Sequence, residues 1–303
     1  MWRLDVVRQH LSPHPCHWVS TFVNPPDLEC MGSLKGKTVV ITGASRGIGL
    51  AIAKLIARDQ ANIVLLAKTA TAHPSLTGTI YTAAKEVEDA GGIALPIICD
   101  VRFEDQVERA IAQAVARFGG IDVLINNASA VSMTDTLSTT MKKYDLMHAV
   151  DERATFMCSK VCLPHLLKAT NPHILVLSPP LNLQTKWASR FCAYFMAKYG
   201  MSLCVLGLSE EFRGQVGVNA LWPRTAIATD AIRNEIANEK TLRSCRTPEI
   251  MADAAYKVIT SNHRKTTGQF FIDDVVLGGV DMKKYMVDPT LPEQELSTDF
   301  FLD

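Results

Sequence analysis

A tyrosine and a lysine four residues apart, Tyr194 and Lys198, are the side chains of this sequence best suited to proton transfer. Residues at this separation share one face of an α-helix, with their Cβ atoms about 5–6 Å apart. A neighbouring ammonium group favours the phenolate and lowers a tyrosine pKa that is normally near 10. Tyr194 can then give a proton to a carbonyl being reduced, or take one from an alcohol being oxidised. Because Y-x-x-x-K is common by chance, its weight depends on its surroundings.

A glycine-rich stretch, TGASRGIG at 42–49, is the second candidate element. It follows a β-branched run at 38–41 and precedes a helical run at 50–57, so the predicted order is strand, turn, helix. The N–H groups and the positive dipole end at the start of such a helix attract an anion. This favours a pyrophosphate-binding turn, and the alternative is a turn that merely joins two elements. The predicted cofactor-binding residues of the turn are Gly43, Ala44, Ser45, Arg46, Gly47, Ile48 and Gly49.

Each glycine of this turn has its own expected role. Gly43 permits a tight turn, Gly47 lets the backbone approach the pyrophosphate, and Gly49 lets the helix pack close to the strand.

The elements that must position these two motifs alternate in type along the chain. Strands are expected at 38–41, 61–67, 93–99, 121–125, 173–177, 216–221 and 269–272, and helices at 50–57, 79–90, 105–118, 138–167, 190–212, 228–239 and 248–261. About seven strands alternating with helices predict an α/β fold of the Rossmann type, a single domain with a doubly wound parallel sheet flanked by helices.

Three segments differ in their patterns. Residues 35–280 carry the alternating pattern and are predicted to form the domain that contains the glycine-rich turn. Residues 1–34 contain four prolines and are expected to be a variable, poorly ordered leader. Residues 281–303 carry no periodic pattern and are expected to form a C-terminal tail that wraps the surface or frays.

Ligands of such a sheet bind outside the carboxyl ends of its strands. The second strand ends at Lys68, where a site for NAD would present an acidic residue to the ribose 2′-hydroxyl. Lys68 and Arg46 instead suit a 2′-phosphate, so the sequence favours NADP(H). The alternative for Lys68 alone is a solvated loop lysine.

Two further strand ends carry polar residues. The third ends at Asp100-Val101, where the carboxylate can accept a hydrogen bond from the adenine amino group, cap a helix, or do both. The fourth ends at Asn126-Asn127, whose amides can hold loop carbonyls and the cofactor. For Asn126, a buried amide that serves only the sheet is the alternative.

Composition limits the classes of function. The 303 residues contain 31 basic and 31 acidic side chains, so no general attraction to nucleic acid is indicated. No uninterrupted apolar run approaches the roughly 18 residues of a membrane span. The eight cysteines form no C-x-x-C pair, which favours reduced thiols in an intracellular protein, and no metal site is predicted.

Taken together, these motifs resemble those of the short-chain dehydrogenase/reductase family, over roughly residues 35–275. The residues that carry the resemblance are TGASRGIG, Asp100-Val101, NNAS at 126–129 and YFMAK at 194–198. It implies an NADP(H)-dependent oxidoreductase with Tyr194 as acid/base and Lys198 as its activator, Lys198 also holding the nicotinamide ribose. Family habit implies a homo-oligomer formed through the helices near 140–167 and 190–212.

Within that family, segments such as AYFMAKYGMS and the closing DFFLD are similar to one branch. This closer resemblance implies a peroxisomal or mitochondrial location. It leaves the substrate unsettled, and we expect a small apolar, lipid-like carbonyl or alcohol. Members of that branch usually continue into a sterol-carrier-like lipid-binding domain.

The family's pattern is broken at three positions. Where the family places a serine 13 residues before the tyrosine, this chain has Leu181, and the nearest hydroxyl is Ser178, followed by two prolines that constrain it. The family's helix asparagine corresponds to Asp151, a carboxylate that can still bind water. The usual Pro-Gly after the sixth strand is Pro223-Arg224. Ser178 and Asp151 are therefore the remaining catalytic candidates.

Two functions stay open at this point. One is an oxidoreductase acting on a carbonyl or alcohol, and the other is a nucleotide-binding, weakly active or inactive member with a regulatory or scaffold role. Trp187, Met196 and Trp222 suggest an apolar substrate pocket, although each can equally belong to the core.

Overall fold

A computed structural model describes residues 28–72, 77–235 and 238–302. At its centre, seven strands form one sheet in the order β3-β2-β1-β4-β5-β6-β7, and every pair of neighbours is parallel. The strands are β1 (Thr38–Thr42), β2 (Asn62–Ala67), β3 (Ile93–Ile98), β4 (Val123–Asn126), β5 (His173–Val176), β6 (Gly217–Trp222) and β7 (Phe270–Ile272). The predicted α/β fold is therefore confirmed.

Helices cover both faces of the sheet, which is why its central strands are almost wholly apolar and buried. The helices are α1 (Gly47–Ala57), α2 (Ile80–Asp89), α3 (Glu104–Phe118), α4 (Met141–His148), α5 (Ala154–Leu166), α6 (Thr185–Arg190), α7 (Cys192–Glu211), α8 (Asp230–Glu235), α9 (Glu239–Arg243), α10 (Glu249–Ile259) and α11 (Asp273–Leu277). The core cluster on one face includes α1, α2 and α10, and the cluster on the other includes α3, α5 and α7.

Three predicted helices differ from the structure in their extent. A π turn (Ala149–Arg153) separates α4 from α5 within the helix predicted at 138–167. The helix predicted at 190–212 matches α7, and α6, which was not predicted, ends just before it at Arg190. Of the helix predicted at 228–239, the described part forms α8, and α9 begins at Glu239.

The C-terminal tail, residues 281–303, wraps the domain, but its end does not stay on the surface. Two short 3₁₀ turns, Met282–Tyr285 and Glu293–Glu295, lie along it. Phe301 and Leu302 are buried in a third apolar cluster together with residues of α7. The expectation of a surface or frayed tail is therefore wrong for its last residues, which belong to the core.

Residues 1–27 of the predicted leader lie outside the described residues. The described end of that segment contacts α10: the Met31 N–H donates to the Thr260 carbonyl at 2.7 Å, and Leu34 is buried.

One helix in the described part of the chain, α7, is long and apolar enough to cross a membrane by length and composition alone. Of its most apolar window, 56% is buried inside the domain. Core helices of globular proteins meet the same test, and α7 packs here against β5 and β6.

Candidate active site

The glycine turn between β1 and α1 has a conformation that requires glycine at two positions. Gly43 has φ +66° and Gly47 has φ +58°, both in the left-handed region. A Cβ on Gly43 would lie 2.9 Å from the Ala128 Cα, and one on Gly47 would lie 3.3 Å from the Thr229 side chain. The loops after β4 and β6 therefore approach this turn closely.

Gly49 makes room for a side chain rather than for the strand alone. Its Cβ would lie 2.5 Å from Nδ2 of Asn127. That amide donates to the carbonyls of Thr42 at 2.8 Å and Gly43 at 3.1 Å. Asn127 thus ties the end of β4 to the glycine turn, and Gly49 lets α1 begin beside it.

These features fit the pyrophosphate of a dinucleotide. The turn lies where the strand order reverses between β1 and β4, which is the usual ligand crevice of a doubly wound sheet. Arg46 precedes α1 without any side-chain cap, so the first N–H groups of the helix are available to an anion. Ala44 and Ser45 are buried beneath the turn, and Ile48 lines the cleft described below.

The two predicted 2′-phosphate ligands differ in their surroundings. The Arg46 guanidinium donates to the carbonyls of Thr77 at 2.8 Å and Gly78 at 3.0 Å, and it lies 3.8 Å from a carboxylate oxygen of Asp230. Burial lowers its pKa, and Asp230 opposes that shift. Lys68 is exposed at the end of β2. Arg46 therefore already holds the loop before α2, whereas Lys68 projects into solvent.

Asp100 has a partner that the sequence did not indicate. Both of its carboxylate oxygens accept hydrogen bonds from the Arg102 guanidinium, at 2.6–3.0 Å, and these bonds hold the pKa of Asp100 below its usual value. The residue that precedes α3 as its N-cap is Phe103, so the helix-capping alternative for Asp100 is wrong. Val101 is buried beside it.

Asn126 and Asn127 have separate roles. The buried Asn126 amide donates to the Ser159 hydroxyl of α5 at 3.2 Å, so it links the sheet to a helix rather than serving the sheet alone. Asn127 alone faces the cleft.

Tyr194 and Lys198 lie on one face of α7, and both are buried. The Lys198 ammonium donates to the Leu177 carbonyl at 2.9 Å and lies 5.1 Å above the Trp222 ring. Burial raises the pKa of Tyr194 well above its ordinary value, and the carboxylates of Asp151 and Asp299 add to the rise. This is the reverse of the expected lowering, because desolvation and the two acidic neighbours favour the neutral phenol.

Ser178, the predicted replacement for the family's serine, is a core residue. It is fully buried at the end of β5 and does not line the cleft. Within the described part of the chain, its hydroxyl has no hydrogen-bond partner. Leu181, at the family's serine position, packs against the third apolar cluster.

Asp151 occupies the π turn between α4 and α5. It is fully buried, and its two oxygens accept hydrogen bonds from the Ala130 N–H at 2.7 Å and the Ser129 hydroxyl at 2.9 Å. Burial raises its pKa to about 6, although Lys198 opposes the rise. The π turn thus directs a carboxyl group toward the Tyr194–Lys198 pair and holds the loop after β4.

A cleft of about 150 Å³ connects these elements. It is mostly apolar, and its polar groups come from both the dinucleotide end and α7. The lining residues are Ile48, Asn127, Ser129, Val131, Met133, Leu177, Tyr194, Lys198, Trp222, Pro223, Ile227, Thr229, Ile232, Met251, Asp299 and Phe300. Of the three residues that suggested an apolar pocket, only Trp222 lines the cleft. Trp187 belongs to the third cluster, and Met196 is exposed.

Two lining residues, Asp299 and Phe300, come from the tail and were not predicted. The segment has no periodicity, so its return to the active site left no local signal. Arg224, which replaces the family's glycine, is an anchor for this region: its N–H donates to Asp273 at 2.9 Å, and its guanidinium pairs with Asp274.

In the described residues, no group of three or more His, Cys, Asp or Glu side chains is arranged to hold a metal ion. The described cysteines are all free, and burial raises the pKa of the Cys158 thiol to about 12.

Comparisons with known proteins agree with this geometry. A family model described as short chain dehydrogenase matches residues 37–240. Hydroxysteroid dehydrogenase-like protein 2 of Danio rerio is 55% identical over 276 residues, which are 91% of this chain and 66% of that protein. This chain therefore spans just under two thirds of that relative's length.

Two solved structures share the whole architecture. One from Xanthomonas campestris has 52% identity and a TM-score of 0.85, and the match covers 90% of this chain and 100% of the other. A short chain dehydrogenase from Mycobacterium thermoresistibile has 47% identity and a TM-score of 0.84, with 89% and 96% covered.

Proposed function

This chain belongs to the short-chain dehydrogenase/reductase family of oxidoreductases, and from that premise we propose that it interconverts a carbonyl and an alcohol with NADP(H). The fold binds a nicotinamide cofactor. We propose further that this chain prefers the phosphorylated cofactor and acts on an apolar, lipid-like substrate. The catalytic roles given to individual residues below are also proposals.

The observation that carries the proposal is the position of two side chains. Tyr194 and Lys198 line one cleft with Asn127, which is bound to the glycine turn. A proton donor, a cation and a dinucleotide-binding turn thus border a single, largely apolar space. Such a space suits a substrate whose only polar group near Tyr194 is the reacting oxygen.

Proton transfer is assigned to Tyr194. Its hydroxyl would give a proton to the carbonyl oxygen during reduction and take one from the alcohol during oxidation. Lys198, fixed by its hydrogen bond to Leu177, would add positive charge beside the phenol and favour the phenolate. The bound cofactor supplies the hydride in one direction and accepts it in the other.

The preference for NADP(H) rests on Lys68 and Arg46. β2 ends at an exposed lysine rather than at an acidic residue, and Arg46 lies at the start of α1. Two cations at this end of the sheet favour a 2′-phosphate over a 2′-hydroxyl.

Titration of the protein with NADPH and NADH, followed by NADPH oxidation with a panel of ketones, tests the proposal. We expect NADPH to bind at least about tenfold more tightly than NADH. We expect Tyr194→Phe to lower turnover by about 10²–10⁴-fold with NADPH affinity unchanged. Tyr81→Phe, on the exposed face of α2, is the control and should leave both unchanged. Equal affinity for the two cofactors would contradict the roles of Lys68 and Arg46.

A second candidate function is favoured by the buried Ser178. With Leu181 at the family's serine position and Ser178 absent from the described lining of the cleft, one donor of the usual reactive set has no counterpart there. A nucleotide-binding member with a regulatory role would bind NADPH tightly but turn over no ketone of the panel.

The peroxisomal or mitochondrial location stays a prediction, which imaging of the tagged chain can test.

A further inference from the structure

Asp299 is the only acidic residue among the described residues that line the cleft. It lies in the tail, four residues before the last residue of the chain, and shares the cleft with Tyr194 and Lys198. Apart from these three, the cleft is lined by apolar side chains, amides and hydroxyls. A carboxyl group in such a space has a large effect on which substrates can enter.

The backbone around Asp299 is anchored on both sides. The Asp299 N–H donates to the Arg224 carbonyl at 2.9 Å, and the Ala226 N–H donates to the Ser297 carbonyl at 2.8 Å. Further along, the Trp222 indole donates to the Phe300 carbonyl at 3.0 Å. The carboxyl group is therefore held at the cleft by the loop that follows β6.

Phe301 anchors the tail beyond that point. It is fully buried, and its ring lies 5.6–6.1 Å from the rings of Tyr194, Tyr199 and Trp222. Its φ of +70° is in the left-handed region, which is unusual for an aromatic residue and persists only where packing over-determines it. The position of Asp299 is thus built into the fold.

The Asp299 carboxyl group keeps one oxygen for another partner. Oδ1 accepts the Phe300 N–H at 2.7 Å, whereas Oδ2 has no hydrogen-bond partner and the carboxylate has no ion pair within the described part of the chain. The charge of the Asp299 carboxylate acts across the cleft, because it adds to the rise in the pKa of Tyr194.

Four titratable groups interact with Asp299. They are Tyr194 and Lys198 on α7, Asp273 at the start of α11 and Cys245 after α9. Burial raises the pKa of Asp299 to about 7, Asp273 adds to the rise, and Lys198 opposes it. Above neutral pH the cleft therefore contains a carboxylate, and below it a carboxylic acid that can donate a hydrogen bond.

We propose that Asp299 is a specificity-determining residue that restricts the site to neutral ketones and secondary alcohols and rejects substrates with a carboxylate beside the reacting carbon. A second carboxylate in this space would face the Asp299 carboxylate at low dielectric, and the repulsion between the two charges would weaken binding. A neutral ketone meets no such repulsion. The inference rests on the proposed function, because it concerns the substrate of that same site.

The test compares two probes of nearly equal shape, phenylglyoxylate and its methyl ester, by calorimetric titration into NADP⁺-saturated protein, where no reduction occurs. At pH 8 we expect the wild type to bind the ester at least about tenfold more tightly than the acid. Asp299→Asn should reduce the ratio of ester affinity to acid affinity by about tenfold. Ser297→Ala is the matched control, because it removes a hydroxyl of the same tail that bonds to Ser244 outside the tail. This variant should keep the wild-type ratio.

A second measurement varies the pH. Between pH 8 and pH 6 the acid probe stays anionic while Asp299 takes up a proton, so the ratio of ester affinity to acid affinity should fall in the wild type, with a midpoint near 7. Asp299→Asn should show no such change. If Asp299→Asn does not fold, the same pH series on Asp151→Asn decides the matter, because a change caused by Asp299 persists in that variant.

Three results would overturn the inference. An unchanged ratio in Asp299→Asn overturns it, as does failure of the ester to bind wild-type protein that has bound NADP⁺. Failure to bind NADP⁺ at all overturns the proposed function itself and the inference with it, so the two failures are distinguishable.

Discussion

At the scale of single residues, Asp151 differs from the amide usual at its position because it can hold a proton. Burial raises its pKa to about 6, above the value near 3.9 of an exposed aspartate. Such a carboxyl group binds more protons in the folded chain than in the unfolded chain between these two pH values. Its contribution to the free energy of unfolding therefore falls as pH rises from about 4 to about 6, and it stays constant above that.

Asp151→Asn should remove this dependence. We expect the free energy of unfolding of the variant, minus that of the wild type, to rise by on the order of 1–3 kcal/mol between pH 4 and 6 and then to level off. The lost acceptor for Ala130 or Ser129 shifts this difference equally at every pH. Denaturant titrations at steps of half a pH unit measure it, and Asp89→Asn on the exposed face of α2 is the control. A difference that does not change with pH would contradict the burial argument.

At the scale of elements, the tail acts as part of the wall of the site. Phe301 is fully buried among aromatic rings of α6, α7 and β6. Removing a buried phenylalanine ring leaves a cavity and loses its dispersion contacts. Because Asp299 precedes Phe301 by two residues, removing the Phe301 ring also loosens the part of the cleft that Asp299 and Phe300 line.

Phe301→Ala should lower the free energy of unfolding by about 3–5 kcal/mol, as measured by denaturant titration. Ketone turnover should fall further than NADPH affinity, because Phe301 packs against Tyr194 and Trp222, which line the cleft, and holds Asp299 and Phe300 beside them. Tyr81→Ala, an aromatic removed from an exposed site on α2, should cost less than about 1 kcal/mol. Loss of NADPH binding in step with turnover would show that the tail supports the whole domain rather than the substrate end.

The elements that the sequence predicted are those with local causes. The β-branched run at 38–41 predicted β1, and the alternation of strand and helix patterns predicted the parallel sheet. The π turn was missed because helical periodicity runs through it without a break. The tail was missed because the burial of Phe301 depends on partners more than a hundred residues away along the chain. No pattern within 281–303 encodes those partners.

At the scale of the whole molecule, sheet topology explains why the predicted site residues meet. Parallel strands place Gly43, Asn127 and the residues after β5 at one edge, and α7 returns Tyr194 and Lys198 to it. Topology brings residues to an edge but does not decide which way a side chain turns. Ser178 reaches this edge, yet its hydroxyl is buried. Asp100 reaches it too, and its carboxylate is bound by Arg102.

The outer surface of α5 and α7 leads to a prediction about assembly. Both helices carry large apolar side chains on their exposed side: Phe156 on α5 is 53% exposed, and Leu203 on α7 is 58% exposed. Exposed apolar residues on two helices that pack against each other are typical of an interface between subunits. We expect the protein to form a homo-oligomer through this surface, as the family resemblance implies.

Phe156→Glu and Leu203→Glu should each weaken association by at least about a hundredfold. In a two-fold symmetric interface every substitution occurs twice, so two uncompensated carboxylates become buried together. Light scattering after size-exclusion chromatography gives the mass directly, and NADPH affinity reports whether the fold is intact. Leu137→Glu is the control, because this leucine is 99% exposed before α4 and lies on neither helix. A wild-type protein that is monomeric at micromolar concentration, or variants with the wild-type mass, would contradict an interface on α5 and α7.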